Sequence, residues 1–288
     1  MTPLLLAAVV GGLLTGGVYA LVALGLTLIY GVLHIVNFAH GSLLMVAMFG
    51  AWLLATRWGL DPLAAVPLMT AAMFTVGWSL YRFVIAQVGG GRDEGILLAT
   101  LGVAVVLDNA ALVLFTGDTR TVETAYALEM VQAGPLLLPL ARLVSFGCAM
   151  ALAGLLWAFM ALTDTGRAIR AVAREPEGAR LVGIRPPAMF ALAYGIGTAC
   201  LGAAGCLLLP SFYVSPDVGH VFILTAFTGG VLGGMGSFPG AVLGGLLVGV
   251  AENLGGLFLG ESLGPICVPT VFIGVLLLRP TGLFGVAR

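Results

Sequence analysis

Lysine is absent from this sequence, and charge of either sign is scarce. All twelve basic residues are arginine, and charged residues make up only 9% of the 288 positions. An average soluble domain carries about 25% charged residues. Since 60% of the residues are hydrophobic and the mean hydropathy is +1.12, the composition excludes a soluble globular protein and predicts a chain embedded in lipid. The net charge of -1 gives no support for nucleic-acid binding.

The missing lysine also rules out a conventional nucleotide-binding loop, whose pattern is Gly-x-x-x-x-Gly-Lys-[Ser/Thr]. The longest loops, such as 164–188, are too short to hold a nucleotide-binding domain. No Ser/His/Asp set, His-x-x-x-His pair or suitably spaced carboxylates support catalysis, so we expect neither an enzyme nor a bound metal or cofactor. The four cysteines stand in apolar context without metal-ligand spacing, and we expect them to be buried free thiols: Cys148, Cys200, Cys206 and Cys267.

Long apolar runs predict an all-α, polytopic membrane bundle of about eight spans, because lipid leaves no partner for unpaired backbone groups. The spans are expected at 4–31, 39–56, 62–86, 96–115, 141–163, 189–210, 222–258 and 263–279. The segment 222–258 is split by glycines and gives nine spans if it crosses twice. The first run has no basic residues before it and is too long for a signal peptide, so we expect it to remain. We expect the whole chain, 1–288, to form one transmembrane domain.

Arginine placement predicts the orientation, because cytoplasmic loops are enriched in basic residues. The loop 164–188 holds the densest group: Arg167, Arg170, Arg174, Arg180 and Arg185. Arg82 and Arg92 are expected in a second cytoplasmic loop, and counting the spans back from this loop places the amino terminus outside. Arg57 then also lies outside, which is a mild contradiction of the rule. Arg279 and Arg288 favour a cytoplasmic carboxyl terminus. That placement requires the 222–258 region to cross twice or to contain a re-entrant half-helix.

Four polar residues interrupt the first half of the apolar chain. Asn37 and His40 share a helix face if their stretch is helical, and they either line a solute path or cap and anchor a helix start. Asp108 and Asn109 lie well inside the span 96–115, where a carboxylate costs roughly 2.5–3.5 kcal/mol unless it is paired or faces water. Asp108 is favoured as a structural strut over a path residue, and for Asn109 both roles stay open.

The stretch Asn37-Phe38-Ala39-His40-Gly41, preceded by the segment 25–31 (Gly-Leu-Thr-Leu-Ile-Tyr-Gly), resembles a known signature. It is similar to the amino-terminal motif of bacterial branched-chain amino-acid ABC permeases, and more narrowly to the smaller of their two permease subunits. The family usually carries an acidic residue after the glycine of this motif. Ser42 stands there instead, so a carboxylate role at that position is not expected.

The arginine-rich loop carries a second resemblance. Glu177, Gly178, Ala179 and Gly183 have the Glu-Ala-Ala-x-x-x-Gly spacing with which ABC importer permeases dock on their ATPases, with Gly178 in place of the middle alanine. A short helix with small residues that ends at a glycine suits a groove on a partner. The alternative is an ordinary basic loop that only sets topology, and the resemblance favours coupling.

The segment 229–253 is the richest in glycine and also resembles the family. Gly236, Gly240 and Gly244 follow at four-residue spacing, which lets helix backbones touch, and Pro239 is expected to break the helix among them. Glu252 and Asn253 follow on the same span as candidate path residues or polar anchors, and tight helix packing is the favoured role of this segment. The tail 279–285 resembles the closing motif of the family.

The ordered matches cover nearly the whole chain and imply a permease subunit of an ATP-driven importer for branched-chain or related amino acids in the bacterial inner membrane. They also imply its partners: a second related permease, two cytoplasmic ATPase subunits that use the ATP, and a periplasmic solute-binding protein. Closure of the ATPases would pull on 164–188 and expose a central path alternately to each side. A homologous importer of urea or short-chain amides, an ATP-independent transporter or channel, and a membrane enzyme remain as alternatives.

Overall fold

The computed structural model describes residues 2–88, 93–133, 136–279 and 282–283. Arg92, Arg288 and most of the predicted closing motif 279–285 lie outside these ranges. In the described part of the chain, seven helices are long and apolar enough to cross a membrane, and two shorter apolar helices accompany them. The predicted all-helical membrane bundle is confirmed.

The helices follow one another with short connections. Their bounds are α1 Thr2–Leu33, α2 His40–Trp58, α3 Val66–Leu80, α4 Ala86–Val88, α5 Asp93–Phe115, α6 Leu140–Leu162, α7 Asp164–Arg174, α8 Pro176–Leu181, α9 Pro186–Leu208, α10 Val218–Gly233, α11 Phe238–Leu259 and α12 Cys267–Leu278. A π-helical turn, Tyr81–Ile85, joins α3 to α4, and a 3-10 helix, Glu261–Ile266, precedes α12. Between α5 and α6 the strands β1 (Met130–Ala133) and β2 (Leu136–Pro139) form an antiparallel hairpin.

The helix α1 is the centre of the bundle, and glycines let α11 lie directly against it. A Cβ atom on Gly12 would lie 2.6 Å from the Cα atom of Val250, and one on Gly16 would lie 2.8 Å from the Cα atom of Leu246. The residue numbers of these contacts increase along α1 while they decrease along α11, so the two helices are antiparallel. This backbone contact is the packing that a four-residue glycine spacing favours in lipid.

The helix α9 runs along another side of α1 in the opposite direction. Gly197 lies against Gly25 and Ile29, whereas Ala193, one turn earlier, shares an apolar cluster with Val32. Nearly all of α9 is buried, since α3 and α2 cover its other sides. The two cysteines of α9, Cys200 and Cys206, are buried free thiols, and Cys148 and Cys267 are half-buried free thiols.

The glycine-rich segment forms a tight hairpin of two helices, α10 and α11. A Cβ atom on Gly244 would fall on the carbonyl oxygen of Gly229, and Gly240 meets Gly233 in the same way. Gly236, in the connection, has a φ of +88° that favours glycine. The helix breaks at Gly234–Ser237, just before the predicted position. Pro239 lies in the first turn of α11, where a missing backbone N–H costs nothing.

The helix α10 begins inside the bundle, at the depth of the middle of α1. Its Gly219 lies against Gly41, its Phe222 packs edge-to-face on Tyr19, and the connection that follows it reaches Gly31. With 16 residues it is about 24 Å long, shorter than the roughly 30 Å apolar layer. The spans expected from the sequence, 189–210 and 222–258, leave 211–221 as a loop between them; the helix in fact starts at Val218, where Gly219 permits close approach to α2.

The bundle has two chemically different ends. We call the end at which α1 finishes the arginine end, since α7 packs there through Ile169 against Val32 and Leu28. The described arginines at this end are Arg82, Arg167, Arg170, Arg174, Arg180, Arg185 and Arg279. We call the opposite end the acidic end; its charged residues outside the helix centres include Asp61, Asp118, Glu123 and Glu129, with Arg57, Arg120 and Arg142. Gly282 lies against Val231 and Gly234, which places Gly282 at the arginine end.

Candidate functional site

The segment α7–α8 lies at the arginine end and is anchored to the bundle by one apolar face. The hydroxyl of Thr163 caps α7 by accepting a hydrogen bond from the amide of Gly166 at 3.0 Å. Ile169 and Val172 are fully buried, and the arginines of α7 lie on the other side of the helix. A Cβ atom on Gly166 would lie 2.5 Å from the carbonyl oxygen of Met160, so α7 also packs tightly on the end of α6. The helix α7 is therefore packed against both α1 and α6.

The helix α8 projects from this anchor and presents apolar side chains to the surroundings. Leu181 is 89% exposed and Val182 is 75% exposed, whereas Ala179 is buried against the bundle. The carboxylate of Glu177 lies 3.0 Å from the guanidinium of Arg180 on the exposed surface. Gly183 follows the helix with a φ of +85°, and nothing lies within 4 Å of the position that a Cβ atom would occupy there.

The predicted coupling residues therefore have different environments. Glu177 and Gly183 are exposed, Gly178 is half-buried, and Ala179 faces inward. The sequence interpretation missed Leu181 and Val182, although two adjacent large apolar residues in a loop full of arginine were visible in the sequence. Contiguous exposed apolar side chains are found at protein contact sites, and Leu181 with Val182 forms a small group of this kind.

Asn37 and His40 lie where the chain re-enters the bundle between α1 and α2. The Oδ1 atom of Asn37 accepts a hydrogen bond from the amide of Ala39 at 3.1 Å, and the Nε2 atom of His40 lies 3.0 Å from the carbonyl oxygen of Val22. Among the described residues, the Nδ2 atom of Asn37 and the Nδ1 atom of His40 have no hydrogen-bond partner. Both side chains are buried, so in this conformation they anchor α2 inside the bundle and contact no open path.

Asp108 has a partner that sequence reasoning missed. The Nε2 atom of His220, on α10, lies 3.5 Å from a carboxylate oxygen of Asp108, on α5. The Asp108 side chain is 20% exposed and that of His220 is 67% exposed. Asn109 is exposed beside them, and its amide nitrogen donates to the carbonyl oxygen of Val105 at 2.8 Å.

The polar pair of Asp108 and His220 lies deep in an apolar face of the bundle. Polar side chains at this depth cost free energy if the face contacts lipid. His220 follows Gly219, whose contact with Gly41 places it at the depth of the middle of α1. Around the pair the exposed side chains are apolar, as at Val221, Leu224 and Val105. His220 could have been noticed in the sequence, because it is one of only three histidines in an apolar chain. It was missed because it lies between two expected spans, in what was read as a loop.

Glu252 and Asn253 lie in a third place, at the acidic end. They line a cavity of about 650 Å³, together with Arg142 and Tyr19. The six predicted path residues thus fall into three groups: Asn37 with His40, Asp108 with Asn109, and Glu252 with Asn253. The structure adds His220 to the second group and Arg142 to the third.

Comparison with known proteins places the chain among transport proteins. The sequence profile of the family described as "Branched-chain amino acid transport system / permease component" matches residues 8–279. The high-affinity branched-chain amino acid transport system permease protein BraD of Pseudomonas aeruginosa is 33% identical over an alignment of 298 positions. The alignment covers 96% of this chain and 94% of that protein. The corresponding permease protein LivH of Escherichia coli K12 is 31% identical, over 95% of this chain and 93% of that protein.

A more distant relative comes from an archaeon. The probable branched-chain amino acid transport permease protein LivH of Methanocaldococcus jannaschii is 26% identical, over 96% of this chain and 91% of that protein. No solved structure matches the chain. The similarity to these proteins extends over nearly the whole length of the chain.

Proposed function

This chain belongs to the family of branched-chain amino acid transport system permease components, and from that premise we propose that it is one of two permease subunits of an ATP-driven importer. It carries branched-chain or related amino acids into the cytoplasm by alternating access. A second, related permease completes the path, and two ATPase subunits dock at the arginine end. A solute-binding protein delivers the amino acid at the acidic end.

The exposed apolar tip of α8 carries this proposal. Leu181 and Val182 extend from a short helix beyond the apolar layer, bounded by the left-handed turn at Gly183. Such a helix fits an apolar groove on another protein, because burying both side chains there removes them from water. The arginines around the tip favour a partner surface with acidic residues.

Arginine placement supports a cytoplasmic position for this end. Seven of the ten described arginines lie there: Arg82, Arg167, Arg170, Arg174, Arg180, Arg185 and Arg279. Basic residues near helix ends are retained in the cytoplasm. The amino terminus, Arg57 and the β-hairpin then lie outside the cell, and the ATPases reach α8 from the cytoplasm.

The polar pair on α5 and α10 supports a place for the second permease. A histidine and a carboxylate at the depth of the middle of α1 are stabilised where they face water or another protein. We place the translocation path along this face, between the two permeases. Asp108, Asn109 and His220 are the side chains of this subunit that line it.

Coupling then follows from the packing of α7. Closure of the ATPases displaces α8, and α7 transfers the displacement to α1 through Ile169 and to α6 through Gly166. The helices α1 and α11 touch through glycines, among them Gly12, Gly16 and Gly249. A small sliding movement along this contact changes which end of the path is open.

The docking role is tested by placing a charge on the tip of α8. Leu181→Asp and Val182→Asp are expected to abolish co-purification of the ATPase subunits with the permease pair, while the permease itself stays folded in the membrane. Leu128→Asp is the matched control, because Leu128 is 90% exposed but lies at the acidic end. Gly183→Arg is a poor test, since a φ of +85° strains any residue with a side chain.

Normal ATPase co-purification with both α8 variants would refute the docking assignment. Loss of co-purification with Leu128→Asp as well would show that the assay reports misfolding. Solute-stimulated ATP hydrolysis by the same preparations gives a second readout of the same contact.

A further inference from the structure

The cavity at the acidic end combines two opposite charges with an apolar wall. It opens to the surface between α1, α6, α11 and the 3-10 helix, and its volume is about 650 Å³. The apolar side chains that line it include Leu4, Ala7, Ala8, Phe212 and Leu257. The charged side chains are Arg142, at the start of α6, and Glu252, in the second half of α11. Small-molecule sites have this size and this mixture of apolar walls with few polar groups.

Both charged groups have unused hydrogen-bonding capacity. The hydroxyl of Tyr19 lies beside the carboxylate of Glu252, whose Oε2 atom is buried and has no hydrogen-bond partner among the described residues. Among the side chains that the structure describes, neither Arg142 nor Glu252 belongs to an ion pair of 4.0 Å or less, with each other or with another residue. A half-buried charge without an ion-pair partner is unfavourable, so a ligand that supplies the opposite charge to each group is stabilised there.

The neighbouring polar groups are arranged so that one acceptor stays free. The hydroxyl of Thr15 donates to the carbonyl oxygen of Gly11 at 3.2 Å, and the Nδ2 atom of Asn253 donates to that of Gly249 at 3.1 Å. These bonds occupy the hydroxyl hydrogen of Thr15 and one of the two N–H groups of Asn253, and they leave the Oδ1 atom of Asn253 as an acceptor. Two acceptors, on Glu252 and Asn253, thus share the cavity with one cation.

An aromatic cluster closes the cavity on the side of the bundle. The rings of Tyr19 and Phe212 have centroids 6.5 Å apart, and each packs on Phe222 of α10, at 5.9 Å and 5.7 Å. Phe222 lies two residues after His220, which faces the proposed path. The cluster therefore stands between the cavity and the face of α10.

We propose that this cavity is a reception site for the amino-acid zwitterion before it enters the path. The carboxylate of Glu252 accepts hydrogen bonds from the α-ammonium group, and the guanidinium of Arg142 donates to the α-carboxylate. The branched side chain lies against the apolar wall. This inference rests on the proposed function for the class of solute, but the set of one anion, one cation and an apolar wall selects a neutral apolar amino acid by itself.

The test measures which group of the ligand each residue recognises. The complete transporter, with both permeases and ATPases but without the solute-binding protein, is reconstituted in lipid nanodiscs. Binding is measured for leucine, for 4-methylpentanoate, which lacks the ammonium group, and for 3-methylbutylamine, which lacks the carboxylate. The unmodified transporter is expected to bind leucine roughly ten- to a hundred-fold more tightly than either analogue, as charged hydrogen bonds imply.

A variant of Glu252 should lose the preference for a ligand with an ammonium group, and a variant of Arg142 should lose the preference for a ligand with a carboxylate. Glu252→Gln should bind leucine no more tightly than 4-methylpentanoate, and Arg142→Gln should bind it no more tightly than 3-methylbutylamine. Arg57→Gln is the matched control, because Arg57 is an exposed arginine at the acidic end that does not line the cavity. It should leave all three affinities unchanged.

Three results would overturn the reception site. Leucine binding that neither variant changes excludes a role for the two charges. An equal weakening of all three ligands in each variant, with a lower melting temperature, assigns Arg142 and Glu252 to the stability of the bundle and not to recognition of the ligand. Full ATP-dependent leucine uptake by the double variant excludes the cavity from transport and leaves the proposed function standing. The proposed function itself fails only if the unmodified transporter shows no ATP-dependent uptake.

Discussion

The Nε2 atom of His40 lies 3.0 Å from the carbonyl oxygen of Val22, near the middle of α1. His40 is the first residue of α2 and is fully buried. The contact therefore fixes the start of α2 inside the bundle, and the chain from His34 to Ala39 returns from the end of α1 to reach it. A φ of +57° at His34 makes that reversal possible.

Replacing His40 should lower stability and leave transport by the folded molecules unchanged. His40→Leu removes the hydrogen bond and is expected to lower the free energy of unfolding by about 1–3 kcal/mol. His40→Gln keeps a donor and should lose less. Thermal unfolding in detergent gives the stability, and initial uptake rates per folded molecule give the function. A changed KM in a variant of normal stability would instead assign His40 to the path.

The hairpin of α10 and α11 should not tolerate a methyl group at its crossing point. Gly244→Ala places a Cβ atom on the carbonyl oxygen of Gly229, so the helices must separate at a cost of about 1–3 kcal/mol. Gly154→Ala, on α6, is the matched control, because nothing lies within 4 Å of the Cβ position there. The two variants are compared by yield of folded protein and by melting temperature. Equal behaviour would contradict the close contact.

The face of His220 should be in contact with water. In a background without the four native cysteines, His220→Cys is expected to react with a membrane-impermeant thiol reagent in the assembled transporter. Leu155→Cys should not react, because Leu155 is 66% exposed near the middle of α6, a helix outside the proposed path. Labelling of neither cysteine, or of both alike, would contradict a path along α5 and α10.

The acidic end of the bundle should lie outside the cell, and the arginine end should lie in the cytoplasm. Leu128→Cys, at the acidic end, is expected to be labelled in intact spheroplasts by an impermeant maleimide. Leu181→Cys, at the arginine end, should be labelled only after the membrane is permeabilised. Both side chains are about 90% exposed, so a difference in labelling reports the side of the membrane. The reverse pattern would invert the orientation.

Much of the bundle was predictable, because lipid demands long apolar helices. The runs 4–31, 96–115 and 141–163 match α1, α5 and α6 to within about three residues at either end. The glycine spacing in 229–253 likewise indicated helix contact, since small side chains at four-residue intervals lie on one face. The lengths of the apolar runs and the spacing of the glycines can be read directly from the sequence.

The depth at which a helix begins was not predictable. The starts of α2 and α10 lie in the middle of the bundle, and hydropathy cannot distinguish a polar residue buried there from one in a loop. His220 therefore looked like part of an external loop, although Gly219 lets α10 approach Gly41 at that depth. The pairing of Arg142 with the cavity of Glu252 was equally hidden, because it depends on contacts between residues more than a hundred positions apart.

The most direct measurement of the central claim is leucine uptake into proteoliposomes that contain this chain, its companion permease and the two ATPase subunits. ATP is enclosed, and the solute-binding protein and labelled leucine are added outside. We expect leucine to accumulate against its gradient, and we expect no accumulation when the ATPases are omitted or ATP is replaced by a non-hydrolysable analogue. Equal accumulation without the ATPases, driven by an ion gradient, would contradict the account.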